Sequence, residues 1–157
     1  VHCAGQIAFG DIGSAGVDDF DRQYRINVRA PYVLTQALLP MIQARKGQIV
    51  FVNSSAGILA KAGMSGYSAS KHALKAVADS LRDEVKADGL RVISVYPGRT
   101  ATLMQAEISK AERIRYVPES LMQPEDVAKV VLDALRLDRK AEITDISLRP
   151  ALKGIKT

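Results

Sequence analysis

Short apolar runs alternate with long segments of helical period along this chain. QIVFVNSS (48–55) follows Lys46-Gly47 and is a compact apolar run, the pattern of a buried strand. RVISVYPG (91–98) is a second such run, stopped by Pro97-Gly98, and ITDISLRP (143–150) is a third, stopped by Pro150. The opening Val1 reads as the tail of a fourth strand ending at Ala4-Gly5. Between these runs the period becomes helical. Residues 18–44 carry Ile26, Ala30, Val33, Leu34, Ala37, Leu38 and Met41 at helical spacing. Residues 66–87 set Leu74, Val77, Ala78, Leu81 and Val85 on one face, with Gly89 placed to end the helix. A third helix begins at Pro124, with Glu125 and Asp126 in its first turn and Val127, Val130, Val131 and Leu135 inward. Residues 100–123 are the least regular and are expected to form a loop and helix over a site.

Strands alternating with helices predict an α/β fold with a doubly wound parallel sheet. The order is strand end, helix, strand, helix, strand, irregular flap, helix, strand. It matches the second half of such a domain, so residues 1–157 are expected to be a single domain whose N-terminal part is missing. A chain of 157 residues, 47% apolar and 25% charged, can bury one real core and has the balance of an ordinary globular protein. No apolar run approaches the ~18 residues of a membrane span, and VHCAGQIAFG has no basic region before an apolar block. No membrane association is therefore expected. The single cysteine, Cys3, allows no internal disulfide and fits a reducing, cytoplasmic location. With His2, His72 and Cys3 as the only soft ligands, no metal site is expected. The net charge of +5 comes from scattered residues, with no run of four basic residues and little aromatic interleaving, which argues against nucleic acid as a partner.

The candidate chemistry lies in GYSASKHAL (66–74). Tyr67 and Lys71 are four apart, so on a helix the phenol and the ammonium share a face. A nearby cation favours the phenolate and would make a tyrosine a usable acid or base near neutral pH. The bland alternative is a surface pair on an amphipathic helix. Ser54, at the end of the 48–55 run and 13 residues before Tyr67 (67 − 54 = 13), could meet Tyr67 over one carbonyl, because ligands of open parallel sheets lie beyond the carboxyl ends of strands. Ser55 is its rival. Pro31 falls within the first helix, lacks an N–H and clashes with the carbonyl four residues back, that of Asn27. The helix should bend there and free that carbonyl, either for packing reasons or to hold a water near Lys71.

Together these residues resemble the short-chain dehydrogenase/reductase family. S-x-x-G (Ser54–Gly57), Y-x-x-x-K (Tyr67–Lys71), the helix residue Asn27, C-A-G at 3–5 and P-G-x-x-x-T (Pro97–Thr102) stand in the family's order and spacing. The resemblance runs from residue 1 to about residue 150. It implies a Rossmann-like sheet and hydride transfer between NADP or NAD, NADP slightly preferred, and a small-molecule carbonyl or alcohol. Carried over by position, Tyr67 is the acid/base and Ser54 orients the carbonyl. Lys71 lowers the Tyr67 pKa and binds the nicotinamide ribose, and Asn27 holds a relay water through its main chain. Pro97, Gly98, Thr100 and Thr102 would line the nicotinamide, and Ala4 and Gly5 would pass under the cofactor. The family also implies a homodimer or homotetramer pairing the two long helices, whose apolar residues beyond one stripe include Tyr32, Leu39 and Ala76.

Two departures bear on this. The family's usual N-N-A-G is His2-Cys3-Ala4-Gly5 here, and a buried, inert Cys3 is expected. The glycine-rich turn and the residues that distinguish NAD from NADP are absent. Gly10, Gly13 and Gly16 have the wrong spacing for a phosphate cradle and read as a flexible loop. The other reading is a catalytically idle dinucleotide-binding or scaffold protein of the same fold, which would have been free to lose Tyr67 or Lys71; both are present. Met104, Ile108, Ile114, Tyr116 and Leu121 in the flap suggest a partly apolar ligand.

Overall fold

A computed structural model of the protein describes residues 1–151; residues 152–157 of the expected domain lie outside the described residues. Strands β1 (Gln48–Val52), β2 (Arg91–Pro97) and β3 (Asp145–Leu148) lie side by side in that order. Both pairings are parallel, with Gln48 opposite Arg91 and Ser94 opposite Asp145. Parallel neighbours require crossovers. Between β1 and β2 the crossover is α3 (Ser65–Val85), and between β2 and β3 it is α4 (Leu103–Ala111) followed by α5 (Pro124–Arg136). Ahead of β1 run α1 (Val17–Tyr24) and α2 (Ala30–Ala44).

Alternate strand residues face opposite layers. Ile49, Phe51 and Val92 pack on Leu74, Ala78, Leu81 and Val85 of α3, with Leu39 and Ile42 of α2 at the margin. Val50, Ile93 and Val95 pack on Val131 and Ala134 of α5. Helices therefore cover both faces of the sheet, the doubly wound arrangement. α3 passes through a 3-10 turn, Lys86–Asp88, to Gly89 at φ 72, a left-handed stop that glycine adopts without strain. α5 starts at Pro124 behind a capping box in which Gln123 and Asp126 bond each other's backbone.

Four boundaries and one face differ from expectation. β1 ends at Val52 and β3 spans only Asp145–Leu148. The fourth strand amounts to one rung: the His2 N–H donates to the Val50 carbonyl (2.8 Å), and the His2 carbonyl accepts from Val52 N–H (2.9 Å). The helix expected over 18–44 is continuous but widens to a π turn at Arg25–Arg29, where the Ala30 N–H reaches back five residues to Arg25. That turn accommodates Pro31, two residues beyond its end at Arg29. It also rotates the phase of the helix. The residues turned inward are Asn27, Val28, Pro31 and Thr35, whereas Val33, Leu34, Leu38 and Met41 are exposed. Leu39 packs on the core instead of standing outside it. The glycine loop is anchored at Gly10, whose N–H donates to the Gly63 carbonyl (3.0 Å).

Candidate active site

Beyond Val52 the chain leaves the sheet in a tight corner. The Asn53 N–H still donates to the Val95 carbonyl (2.7 Å). Ser54 is extended, and its hydroxyl accepts from the Ala56 N–H (3.1 Å), capping a 3-10 turn, Ser55–Gly57. This turn passes so close to α3 that a Cβ on Gly57 would lie 2.9 Å from the Lys71 carbonyl oxygen and 2.6 Å from Asn53 Oδ1. Only glycine fits, which gives the S-x-x-G spacing its physical reason. The turn sets Ser54 against the first turns of α3, beside Tyr67.

On α3 the phenol and ammonium stand as their spacing predicts, with Lys71 Nζ 5.8 Å from the Tyr67 ring centroid. Both residues are buried, Tyr67 at 6% and Lys71 at 3% exposure. Burial dominates their titration. It pushes the Tyr67 pKa above its usual value, partly offset by the Ser54 hydroxyl, so the expected lowering by Lys71 is not found. Desolvation outweighs a cation that is itself poorly solvated. The same cause pushes Lys71 down from 10.5 to about 8, opposed to a smaller extent by nearby Cys3. Lys71 Nζ donates to the Val52 carbonyl (3.3 Å) and forms no ion pair among the described residues. Near neutral pH, Tyr67 is therefore a phenol and Lys71 mostly an ammonium.

Asn27 lies beneath this pair, in the π turn. Its Oδ1 accepts from the Gln6 N–H (2.8 Å), and its Nδ2 donates to the Gln6 carbonyl and to Ser70 Oγ, both at 2.9 Å. Ser70 in turn donates to the Tyr67 carbonyl (2.7 Å). The Asn27 side chain thus ties the loop after Gly5 to α3.

A cavity of about 690 Å³ opens beyond the carboxyl ends of β1 and β2. Ser54, Tyr67 and Lys71 border it, as do Gly5, Pro97 and Gly98, and Thr100 and Thr102 complete that side. Asn27 and Ala4 do not reach it. Ser55 borders it too, but Ser54 is the serine that interacts with Tyr67. Thr102 also caps α4, accepting from the Gln105 N–H (3.2 Å). Of the flap's apolar residues, Met104 and Ile108 reach the cavity; Ile114, Tyr116 and Leu121 do not. Cys3 is exposed on the cavity wall, not buried as expected, because the chain leaves the sheet after the single rung at His2. His2 serves packing: its ring stacks on Phe51 at 4.9 Å, and Nε2 lies 3.0 Å from Thr35 Oγ1. Sequence reasoning missed Asn53 and Ser70. An asparagine ending a β-rich run was the available signal for the first.

The model of the short chain dehydrogenase family matches residues 1–113. The chain belongs to that family. It is 33% identical over 155 residues to glycine betaine reductase ATRR of Emericella nidulans, covering 96% of this chain and 12% of that protein. An uncharacterized oxidoreductase of Staphylococcus aureus (strain USA300) is 27% identical over 151 residues, with 63% of its length covered. A chain from Escherichia coli CFT073, solved with NADPH and described as a short chain dehydrogenase, superposes with a TM-score of 0.84 at 30% identity. There the match covers 93% of this chain and 60% of the other. An alcohol dehydrogenase from Thermococcus sibiricus, complexed with 5-hydroxy-NADP, shares the fold at a TM-score of 0.82 and 18% identity, with 63% of its chain covered. The chain thus spans about 60% of the length of these solved relatives and carries the corresponding part of their Rossmann fold. Among its described residues, no helix is long and apolar enough to cross a membrane.

Proposed function

We propose that the protein is an NAD(P)-dependent oxidoreductase that interconverts a small-molecule carbonyl and its alcohol, with Tyr67 as the acid/base. The observation that carries this reading is the buried, protonated Tyr67 facing Ser54, with Lys71 one turn away, all bordering one cavity at the strand ends. The donor set suits a nicotinamide nucleotide. Lys71 Nζ has a single long hydrogen bond and no acidic partner among the described residues, which leaves donors for a pair of ribose hydroxyls. Gly5 keeps open the space beside Nζ, since a Cβ there would lie 3.6 Å from it. Pro97, Gly98, Thr100 and Thr102 would flank the nicotinamide, and Ala4 would pass beneath the cofactor with Gly5. NADP is slightly preferred over NAD.

A reduced nicotinamide held in this cavity would supply the hydride. Tyr67 gives its phenolic proton to the substrate oxygen, and Ser54 donates a hydrogen bond to that same atom as negative charge gathers on it. The Lys71 ammonium stabilises the phenolate left behind. Asn27 restores the proton through a water held at its main-chain carbonyl, its side chain being fully occupied by Gln6 and Ser70. In the alcohol-to-carbonyl direction the same groups act in reverse. Met104 and Ile108 give the substrate a partly apolar wall. The exposed apolar face of α2 (Tyr32, Val33, Leu34, Leu38 and Met41) supports a homodimer or homotetramer, and a single cysteine agrees with a cytoplasmic setting.

Titrating NADPH and NADH into the full-length protein, then following their oxidation with a panel of ketones and aldehydes, tests the reading, since residues 1–157 lack the glycine-rich turn and are expected to bind nucleotide poorly by themselves. Nucleotide binding with carbonyl-dependent oxidation is expected, and Lys71→Ala should weaken both. Turnover falling in Lys71→Ala with nucleotide affinity unchanged would remove the ribose role; absence of nucleotide binding in the wild type would remove the proposal.

A further inference from the structure

The proposed acid and its helper sit on α3, whereas Ser54 sits at the exit of β1. Their function needs a fixed distance between two elements that meet chiefly through apolar packing. Asn53 occupies that junction. Its main chain belongs to the sheet, with the N–H bonded to the Val95 carbonyl at 2.7 Å. Its side chain is 6% exposed, and Nδ2 donates to the Lys71 carbonyl at 3.0 Å. We propose that Asn53 is a positioning residue that locks α3 to the end of β1 through the Lys71 carbonyl, so setting where Tyr67 and Lys71 stand relative to Ser54. The inference rests on the catalytic reading given above.

Satisfying the helix does not explain this bond. A carbonyl in the interior of an α-helix already has an N–H partner four residues on, so the amide of Asn53 is a second donor to the same oxygen. Nor does space-filling explain the asparagine. Its Oδ1 is buried without a partner and points at Gly57, where an added Cβ would lie 2.6 Å away. Leucine has a similar shape and would leave no orphaned oxygen, and asparagine is among the poorer strand residues. What leucine lacks is the N–H. The neighbouring residue supplies a second tether, because Lys71 Nζ donates to the Val52 carbonyl at 3.3 Å. Lys71 is thus held at both ends by consecutive residues of the strand exit, its carbonyl by Asn53 and its ammonium by Val52.

The test uses Asn53→Leu and Asn53→Asp in the complete protein, with two readouts. Competitive trace labelling of lysines, read by mass spectrometry without nucleotide, follows the titration of Lys71. In the wild type it should fall at about 8; in Asn53→Leu it should move up toward the ordinary lysine value as α3 loosens. Steady-state kinetics should show kcat lower by about 10- to 100-fold, the scale of a misplacement near 1 Å, with KM changed far less. Asn53→Asp adds a signature that a packing role would not give. When protonated its carboxyl can donate to the Lys71 carbonyl, and when ionised it cannot. The variant-to-wild-type ratio of kcat should therefore fall with rising pH for Asn53→Asp and stay flat for Asn53→Leu. Tyr67, Lys71 and Cys3 are the titratable groups at this corner, and the ratio is read below about pH 7, where Tyr67 stays a phenol and Lys71 an ammonium in all three proteins. An unchanged Lys71 titration in Asn53→Leu, or a flat ratio for Asn53→Asp, overturns the proposal. Should Asn53→Leu fail to fold, the isosteric Asn53→Asp still decides it. A protein without reductase activity would remove the catalytic reading, while the labelling result would still judge the tether.

Discussion

Replacing Lys71 with methionine should make the nucleotide-free protein more stable at pH 7 and abolish its activity. Burial lowers the Lys71 pKa from 10.5 to about 8, a penalty on the charged form of about 3 kcal/mol at ~1.4 kcal/mol per pH unit. The sign follows from proton counting. Between pH 8 and 10.5 the unfolded chain holds the lysine proton and the folded chain does not, so stability rises with pH through that window. Below pH 8 the full penalty is present. Methionine removes it, and also removes the hydrogen bond to the Val52 carbonyl, worth about 1 kcal/mol. The net gain at pH 7 is about 2 kcal/mol. Near pH 10 the gap should close. Above that, Tyr67 acts in the opposite sense: its raised pKa means the unfolded chain ionises first, and stability falls. Urea unfolding of wild type and Lys71→Met at pH 7 and pH 10 measures both points. A variant less stable at pH 7, or a gap independent of pH, would refute the account of Lys71 as a buried, uncompensated ammonium.

Ser54→Ala should lower turnover more than Ser55→Ala, since the Ser54 hydroxyl is the one facing Tyr67; steady-state kinetics showing equal or reversed losses would contradict the assignment. Gly57→Ala should destabilise by about 1–3 kcal/mol, because its Cβ would lie 2.9 Å from the Lys71 carbonyl, a backbone atom that cannot step aside; urea midpoints within error of wild type would count against it. Leu34→Glu, on a residue 50% exposed in the apolar face of α2, should convert an oligomer to monomers in light scattering. A wild type that is already monomeric would sink that prediction at once.

The layered fold was legible because strand and helix periods differ and each core stripe has one interpretation. Leu74, Ala78, Leu81 and Val85 occupy one face of α3, and all four are buried. The first long helix was harder for a definite reason. It carries apolar residues on more than one side, and the π turn at Arg25–Arg29 shifts its phase, so Val33, Leu34, Leu38 and Met41 face outward. At the site, the Tyr67–Lys71 spacing was readable since i and i+4 share a helix face. The direction of the Tyr67 pKa was not, because it depends on how deeply the pair is buried, and burial is a tertiary property. Asn53 escaped notice likewise, as its partner lies 18 residues away and is a main-chain carbonyl.

The central claim is that the Tyr67 hydroxyl is the proton donor to the substrate carbonyl. Tyr67→Phe removes that one oxygen and leaves the ring, the cavity wall and Lys71 in place. Steady-state carbonyl reduction and nucleotide titration, measured on the same preparation, test it most directly. Turnover should fall by about 10²–10⁴-fold, the usual contribution of a general acid, with nucleotide affinity nearly unchanged. A variant that keeps about a third of wild-type turnover, where general acid catalysis should have been lost, would contradict the claim.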